Sequence, residues 1–191
     1  MELNGTESAW NQGNYSPFTR SGTANSGLLS YWSGNGAFYG PSVGKYSGSS
    51  PLNLGGSPNL IIPNDVLTMG PGQNPNIVVT LWTAPASGFY DITGSFTNLQ
   101  QFSGAVNVVI GQTNGTDGSE YGQTLGAQFS YLNQYLPAGS TVGFIVDSLG
   151  SQGNDVVGLK ATISSVPAPA ALLLFGPGLV GLAAIRRRFK G

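Results

Sequence analysis

The sequence has no cysteine and no histidine. Without thiol or imidazole there can be no Ser-His-Asp triad, no cysteine nucleophile, no disulfide framework and none of the usual zinc sites. Charge is also scarce: Asp, Glu, Lys and Arg make up 8% of the 191 residues, against about 25% in ordinary globular proteins. Solubility must then come from Asn, Ser, Thr, Gln and Gly. Before residue 166 no stretch has convincing helical periodicity, and no internal repeat suggests a propeller or solenoid. The opening residues Met1-Glu2-Leu3-Asn4-Gly5-Thr6 carry neither a charged n-region nor an apolar h-region.

What charge there is lies unevenly. Of seven cations, Arg186, Arg187, Arg188 and Lys190 crowd the last six positions. Residues 1–165 keep Arg20, Lys45 and Lys160 against all eight acids, a net of −5. An acidic body repels phosphate backbones, so no nucleic-acid partner is expected. Hydrophobic residues at 40% and aromatics at 10% suffice for a packed core. The 30 glycines and 12 prolines make a chain rich in turns.

The apolar residues fall in short runs broken by turn residues. Tyr90, Ile92, Gly94 and Phe96 alternate with Asp91, Thr93, Ser95 and Thr97, which is period two with one buried face and one wet face. Val106, Val108 and Ile110 repeat the pattern, as do Val142, Phe144 and Val146, and Val157, Leu159, Ala161 and Ile163. Residues 60–62 and 66–69 flank the turn Pro63-Asn64-Asp65, and 77–82 form a mostly apolar run that includes Trp82. Trp82 and Phe96 read as core. In the first third the candidate strands are 28–32, 37–39 and 43–46, and 47–58 reads as loop. The expected body is all-β, a jelly-roll-like β-sandwich of eight to ten strands over residues 1–165.

Few motifs carry chemistry. Gly176-x-Gly178-x-x-Gly181 matches a dinucleotide fingerprint by formula, but it has no strand before it and no acid after it. Asp117 and Glu120, in a polar loop, could offer oxygens to Ca²⁺, though a solvated loop is the plainer reading. Asp147 and Asp155 are the other acids that a glycosidase pair could use, and their spacing does not support one. No metal site, cofactor or catalytic residue is therefore assigned, and the chain is expected not to be an enzyme. Trp10, Tyr31 and Trp32, with Tyr39 and Tyr46, crowd the loop-rich N-terminal third. Aromatic faces stack on the apolar faces of sugars, so Trp10, Tyr31 and Trp32 are candidate sugar contacts; alternatively the rings pack the sandwich edge.

The C-terminal tail is different in kind. No polar side chain occurs from Val166 to Ile185, and Arg186, Arg187 and Arg188 end the run. Twenty residues of helix would span roughly 30 Å, the thickness of a bilayer core. Pro167 and Pro169 shorten the helix to about 170–185, and Pro177 should kink it. By the positive-inside rule the arginine stop stays cytoplasmic and the body lies outside.

Val166-Pro167-Ala168-Pro169, the apolar run Ala170-Ala171-Leu172-Leu173-Leu174-Phe175-Gly176-Pro177-Gly178-Leu179 and the basic end resemble the PEP-CTERM sorting signal, with Ala168 where that family usually has Glu. The resemblance implies processing by an exosortase, a membrane-embedded transpeptidase, at the sorting motif Val166, Pro167, Ala168 and Pro169. It implies a lipid-bilayer partner for the tail, residues 166–191. It also implies export, transient anchoring in the inner membrane, and delivery to the cell surface or extracellular matrix. A signal peptide upstream of Met1 is then expected. A weaker likeness links Trp82-Thr83-Ala84-Pro85-Ala86-Ser87-Gly88-Phe89-Tyr90-Asp91-Ile92-Thr93-Gly94-Ser95-Phe96, Leu136-Pro137-Ala138-Gly139-Ser140-Thr141-Val142-Gly143-Phe144 and Asp155-Val156-Val157-Gly158-Leu159 to bacterial surface domains that look like carbohydrate-binding jelly rolls. The resulting expectation is a non-catalytic surface or matrix protein. The alternative is a module binding exopolysaccharide, and a glycoside-active enzyme is the remote third.

Overall fold

The structure is a computed structural model that describes residues 8–11, 14–17, 20–24, 29–33, 41–56, 59–71, 76–100, 107–113, 118–122, 125–149 and 155–167. Among them there are strands and turns and no helix. The fifteen strands are β1 (Ser8–Asn11), β2 (Asn14–Pro17), β3 (Arg20–Ala24), β4 (Leu29–Ser33), β5 (Ser42–Tyr46), β6 (Leu52–Gly55), β7 (Leu60–Ile62), β8 (Leu67–Gly70), β9 (Asn76–Thr83), β10 (Gly88–Asn98), β11 (Asn107–Thr113), β12 (Gly118–Gly122), β13 (Gln128–Leu136), β14 (Thr141–Asp147) and β15 (Val157–Ser165).

Two antiparallel sheets pack face to face. One has the order β12-β11-β14-β9-β1-β2 and the other β13-β10-β15-β8-β5-β4-β3, while β6 and β7 form a separate two-stranded ribbon. From β8 onward the strands nest: β8-β15-β10-β13 lie together in one sheet and β9-β14-β11-β12 in the other. β1–β5 widen both sheets on one flank, beside β9 and β8.

The alternation read from the sequence sets which face is buried. Tyr90, Ile92 and Phe96 of β10 point inward with Val157 and Leu159 of β15, and they meet Val142, Phe144 and Val146 of β14. Phe96, Phe129 and Phe144 form the aromatic centre, with centroids 5.9 to 6.4 Å apart. Phe96 is fully buried, as expected. Trp82 is half-buried instead, packed on the rim of the core with its ring edge-on to Tyr90 at 5.2 Å. A second, smaller core of Tyr46, Leu60, Ile62, Leu99 and Val156 lies under the β6–β7 ribbon, joined by Leu52 and Leu54.

Two expectations need correction. The described residues alone hold fifteen strands, more than the eight to ten expected, because the N-terminal third adds short strands to both sheets. Leu52 and Leu54 lie in a strand rather than in a loop. The turn expected at Pro63-Asn64-Asp65 is there, at Asn64 and Asp65, and the strands it joins find partners elsewhere: β7 pairs with β6, and β8 with β5 and β15. The candidate strand 37–39 and the tail beyond Pro167, including Ala168, Pro169, Arg186, Arg187 and Arg188, lie outside the described residues.

Candidate functional site

The outward face of β13, β10 and β15 carries the most distinctive exposed chemistry. On β10 the positions opposite in phase to the core are Phe89, Asp91, Thr93 and Ser95. Phe89 lies across from Tyr135 of β13 in the antiparallel register. Both rings are more than half exposed, 52% and 55%, yet they touch edge to face with centroids 5.4 Å apart and planes at 62°. An aromatic pair of this size is ordinarily buried. Here it sits on the wet side of a sheet.

A β-bulge shapes the ground beside the pair. Tyr90 faces Gln134, but Ile92 faces Tyr131, so β13 carries one residue more than β10 over this interval. The extra residue is absorbed at Asn133, whose φ of 54° is left-handed, a conformation Asn tolerates better than most residues. The Asn133 N–H donates to Asp91 Oδ1 at 2.9 Å, and Gln134 Nε2 donates to the Leu132 carbonyl at 2.7 Å. Leu132 is turned out to 54% exposure beside the aromatic pair.

The end of the sandwich below Phe89 is firmly tied. Ala84 N–H donates to the Ser140 carbonyl at 2.8 Å, Gly139 N–H to the Ala84 carbonyl at 2.9 Å, and Ala138 N–H to Ser87 Oγ at 2.9 Å. Tyr90 Oη donates to the Ala86 carbonyl at 2.8 Å. Beyond the last β15 residue, Val166 N–H donates to the Phe89 carbonyl at 2.8 Å. The sheet ladder thus runs one residue into Val166-Pro167, and Pro167 itself is exposed.

Between the aromatic pair and the far end of this face runs a polar strip. Ser164, Thr162 and Lys160 of β15 lie opposite Asp91, Thr93 and Ser95, and Ser130 and Gln128 of β13 flank Thr93 and Ser95 on the other side. Beyond it, where β8 begins at Leu67, a notch of about 280 Å³ opens between β15 and β5, lined by Lys45, Tyr46, Asn64, Asp65, Lys160 and Thr162 among others. Lys160 and Asp65 form an ion pair, both well exposed. The hydrogen bond from Lys160, and then its charge, hold the Asp65 carboxyl below the ordinary carboxylate range.

The residues singled out from sequence fall elsewhere. Trp10 lies in β1 opposite Ile77 and Tyr15, whereas Tyr31 and Trp32 lie in β4 opposite Gly44 and Val43, in the other sheet. Their side chains are outside the described residues. Glu120 is a strand residue of β12 opposite Gly111 rather than part of a loop, and Asp117 lies outside the described residues. Among the described residues no group of three acids is placed to hold a metal ion. Asp147 accepts the Leu149 N–H at 2.9 Å, and Asp155 is buried, which pushes its carboxyl above the ordinary range. Neither lines the notch.

Sequence reasoning missed Phe89 and Tyr135. A signal existed for one of them: Phe89 stands one step out of phase with Tyr90, Ile92 and Phe96, at a position the alternation marks as wet. Nothing in the sequence joins it to Tyr135, 46 residues on, since that needs the register of β10 on β13.

No protein-family model matches this chain, and no curated protein matches it. Among solved structures it is similar to TmCBM61 in complex with β-1,4-galactotriose, at 12% identity over 78% of this chain and 90% of that one, with a TM-score of 0.37. It is also similar to a mutant of a carbohydrate binding module family 29 protein, at 13% identity over 72% and 92%, with a TM-score of 0.35.

Proposed function

We propose that this chain is a non-catalytic polysaccharide-binding module, displayed outside the cell by a C-terminal sorting tail. The observation that carries the binding reading is the Phe89–Tyr135 pair, exposed on a sheet face that also presents Asp91, Thr93, Ser95, Gln128, Ser130, Thr162 and Ser164. A pyranose has one face of C–H bonds and a rim of hydroxyls. An exposed ring takes the first and a row of short polar side chains takes the second. The pair is anchored on paired strands and locked turns, so it loses little freedom on binding. The nested order of β8 to β15 supports a jelly-roll reading of the sandwich.

The sorting reading rests on the tail itself: a Val-Pro-Ala-Pro motif, a bilayer-length apolar run and an arginine stop, resembling exosortase substrates. In it the exosortase and the bilayer are partners of the tail, and the body reaches the cell surface or matrix. The exposed Pro167 immediately beyond the Val166–Phe89 hydrogen bond fits a motif presented in extended form.

Affinity electrophoresis of the full chain through gels containing neutral plant and bacterial polysaccharides tests the binding reading. At least one polymer should retard the parent, and Phe89→Ala or Tyr135→Ala should each weaken that retardation about tenfold. Both variants should unfold within about 0.5 kcal/mol of the parent, since neither ring is in the core. Equal retardation of parent and both variants refutes the platform.

A further inference from the structure

The apolar residues of the outward face collect on its last rung, where β15 gives way to the tail. Tyr135 lies opposite Phe89, and Phe89 is level with Val166, whose N–H donates to its carbonyl. Residues directly opposite across antiparallel strands share a face. Tyr135, Phe89 and Val166 therefore stand abreast across β13, β10 and β15, with exposed Leu132 beside them. From the next outward position the face turns polar, with Asp91, Thr93 and Ser95 against Ser164, Thr162 and Lys160. The face is apolar at the tail end and polar away from it.

Val166 is also the first residue of the apolar run 166–185. In the sorting reading that run enters the bilayer, and the arginine stop holds its other end on the cytoplasmic side. Four residue steps lead from Val166 to Ala170, where the helix is expected to begin, and they reach at most roughly 14 Å. The polar layer of a bilayer is itself about 5–8 Å deep on each side. So short a link keeps the last rung at the membrane surface. Tyr suits that zone, with an apolar ring and a wettable hydroxyl. Asp91, roughly 7 Å further along β10, resists burial in hydrocarbon and limits the contact to this rung. Residues 1–165 hold three cations against eight acids, so anionic lipid adds no attraction and the fitting surface is zwitterionic.

We infer, on the two readings proposed above, that Phe89, Tyr135 and Leu132 rest in the interfacial layer of a zwitterionic bilayer while the tail is inserted, and that this contact closes the glycan platform until the body leaves the membrane. The same rings cannot stack on a sugar and lie against lipid at once. The inserted tail makes the lipid contact intramolecular, so the bilayer outcompetes a glycan in solution. Release from the membrane removes that advantage and opens the platform where the body arrives.

The chain has no cysteine, so a single introduced thiol takes a fluorophore uniquely. Full-length Tyr135→Cys, Gln128→Cys and Leu174→Cys chains are labelled and reconstituted into phosphatidylcholine vesicles containing lipid spin-labelled at the headgroup and mid-chain. Gln128 begins β13, seven residues and roughly 23 Å from Tyr135. Labels at 135 and 174 should be quenched about twofold or more, and the label at 128 should stay bright. Quenching at 174 with 135 as bright as 128 overturns the contact while the sorting reading stands. No quenching at 174 overturns the sorting reading and the contact together. A second variant carries about 30 Gly and Ser residues between Pro167 and Ala168, a flexible spacer of roughly 30 Å. In vesicles it should lose the quenching at 135 and bind a retarding polymer about tenfold tighter than the parent. Equal polymer binding by vesicle-bound parent and spacer variant overturns the closure. If no polymer binds either chain, with or without vesicles, the glycan reading falls and the closure with it, and quenching at 135 then assigns the rings to lipid alone.

Discussion

Gly94 shows how closely one residue can be specified. It occupies an inward position of β10 between Ile92 and Phe96, where an apolar side chain would be expected. A Cβ there would stand 2.0 Å from the Lys160 carbonyl oxygen and 2.7 Å from the Phe129 ring. The missing side chain is what lets Phe129 close over the strand and reach Phe96 and Phe144. Asp155 is the opposite case, a charge the fold holds at a cost. It is 5% exposed, and its Oδ2 has no hydrogen-bond partner among the described residues. Burial raises its carboxyl above the ordinary value, against a smaller opposing effect from a backbone hydrogen bond. The folded state is therefore favoured while the group is protonated, below the ordinary carboxylate range, and this advantage is lost as pH rises through the raised folded value. Asp155→Asn should stabilise the chain by about 1 kcal/mol at neutral pH, and the gain should shrink to nothing near pH 3, where Asp155 is itself neutral. Urea unfolding at the two pH values checks this; a gain that persists in acid means that burial of the charge is not the cause.

At the scale of elements, the bulge in β13 has two roles. β13 is the edge of its sheet, and a long regular edge invites pairing with another chain. The extra residue twists that edge and turns Leu132 outward beside Tyr135. Asn133 holds the left-handed turn and Asp91 caps its amide. Asn133→Val should cost roughly 1–2 kcal/mol, because a β-branched residue resists positive φ, and Asn133→Gly should cost much less; thermal unfolding of the two variants separates the cases. The strands with clean alternation, β10, β14 and β15, were legible in the sequence because one buried face and one wet face leave a period of two. β6 was not legible. Leu52 and Leu54 sit among Gly, Ser and Pro, and their partners are on a short ribbon over a satellite core rather than on a main sheet. Trp10, Tyr31 and Trp32 drew notice by crowding in sequence, but a site depends on which sheet and face each strand joins. Their strands join two different sheets and their side chains lie outside the described residues, whereas Phe89 and Tyr135 are paired through a register that no local pattern carries.

For the molecule as a whole, the end of the sandwich that carries the aromatic pair is also where β15 ends. Val166 is still in the ladder, so the Val166-Pro167-Ala168-Pro169 motif begins without a linker. Proline lacks an N–H and biases the residue before it toward extended backbone, which would keep the motif strand-like for a transpeptidase. In an exosortase-bearing host, with a signal peptide supplied, Pro167→Ala with Pro169→Ala should slow processing, seen as loss of the mobility shift of a tagged chain. Unchanged processing would overturn the proposed sorting role of the prolines. The central claim, however, is that the outward face of β10, β13 and β15 receives a glycan. Its most direct test is amide chemical-shift mapping of the labelled chain, titrated with an oligosaccharide from a retarding polymer. The account predicts shifts concentrated at Phe89, Asp91, Thr93, Ser130, Tyr135 and Thr162, with β9 and β14 unmoved. Shifts confined to the β6–β7 ribbon or to the β9–β14 sheet, with Phe89 and Tyr135 silent, would contradict it.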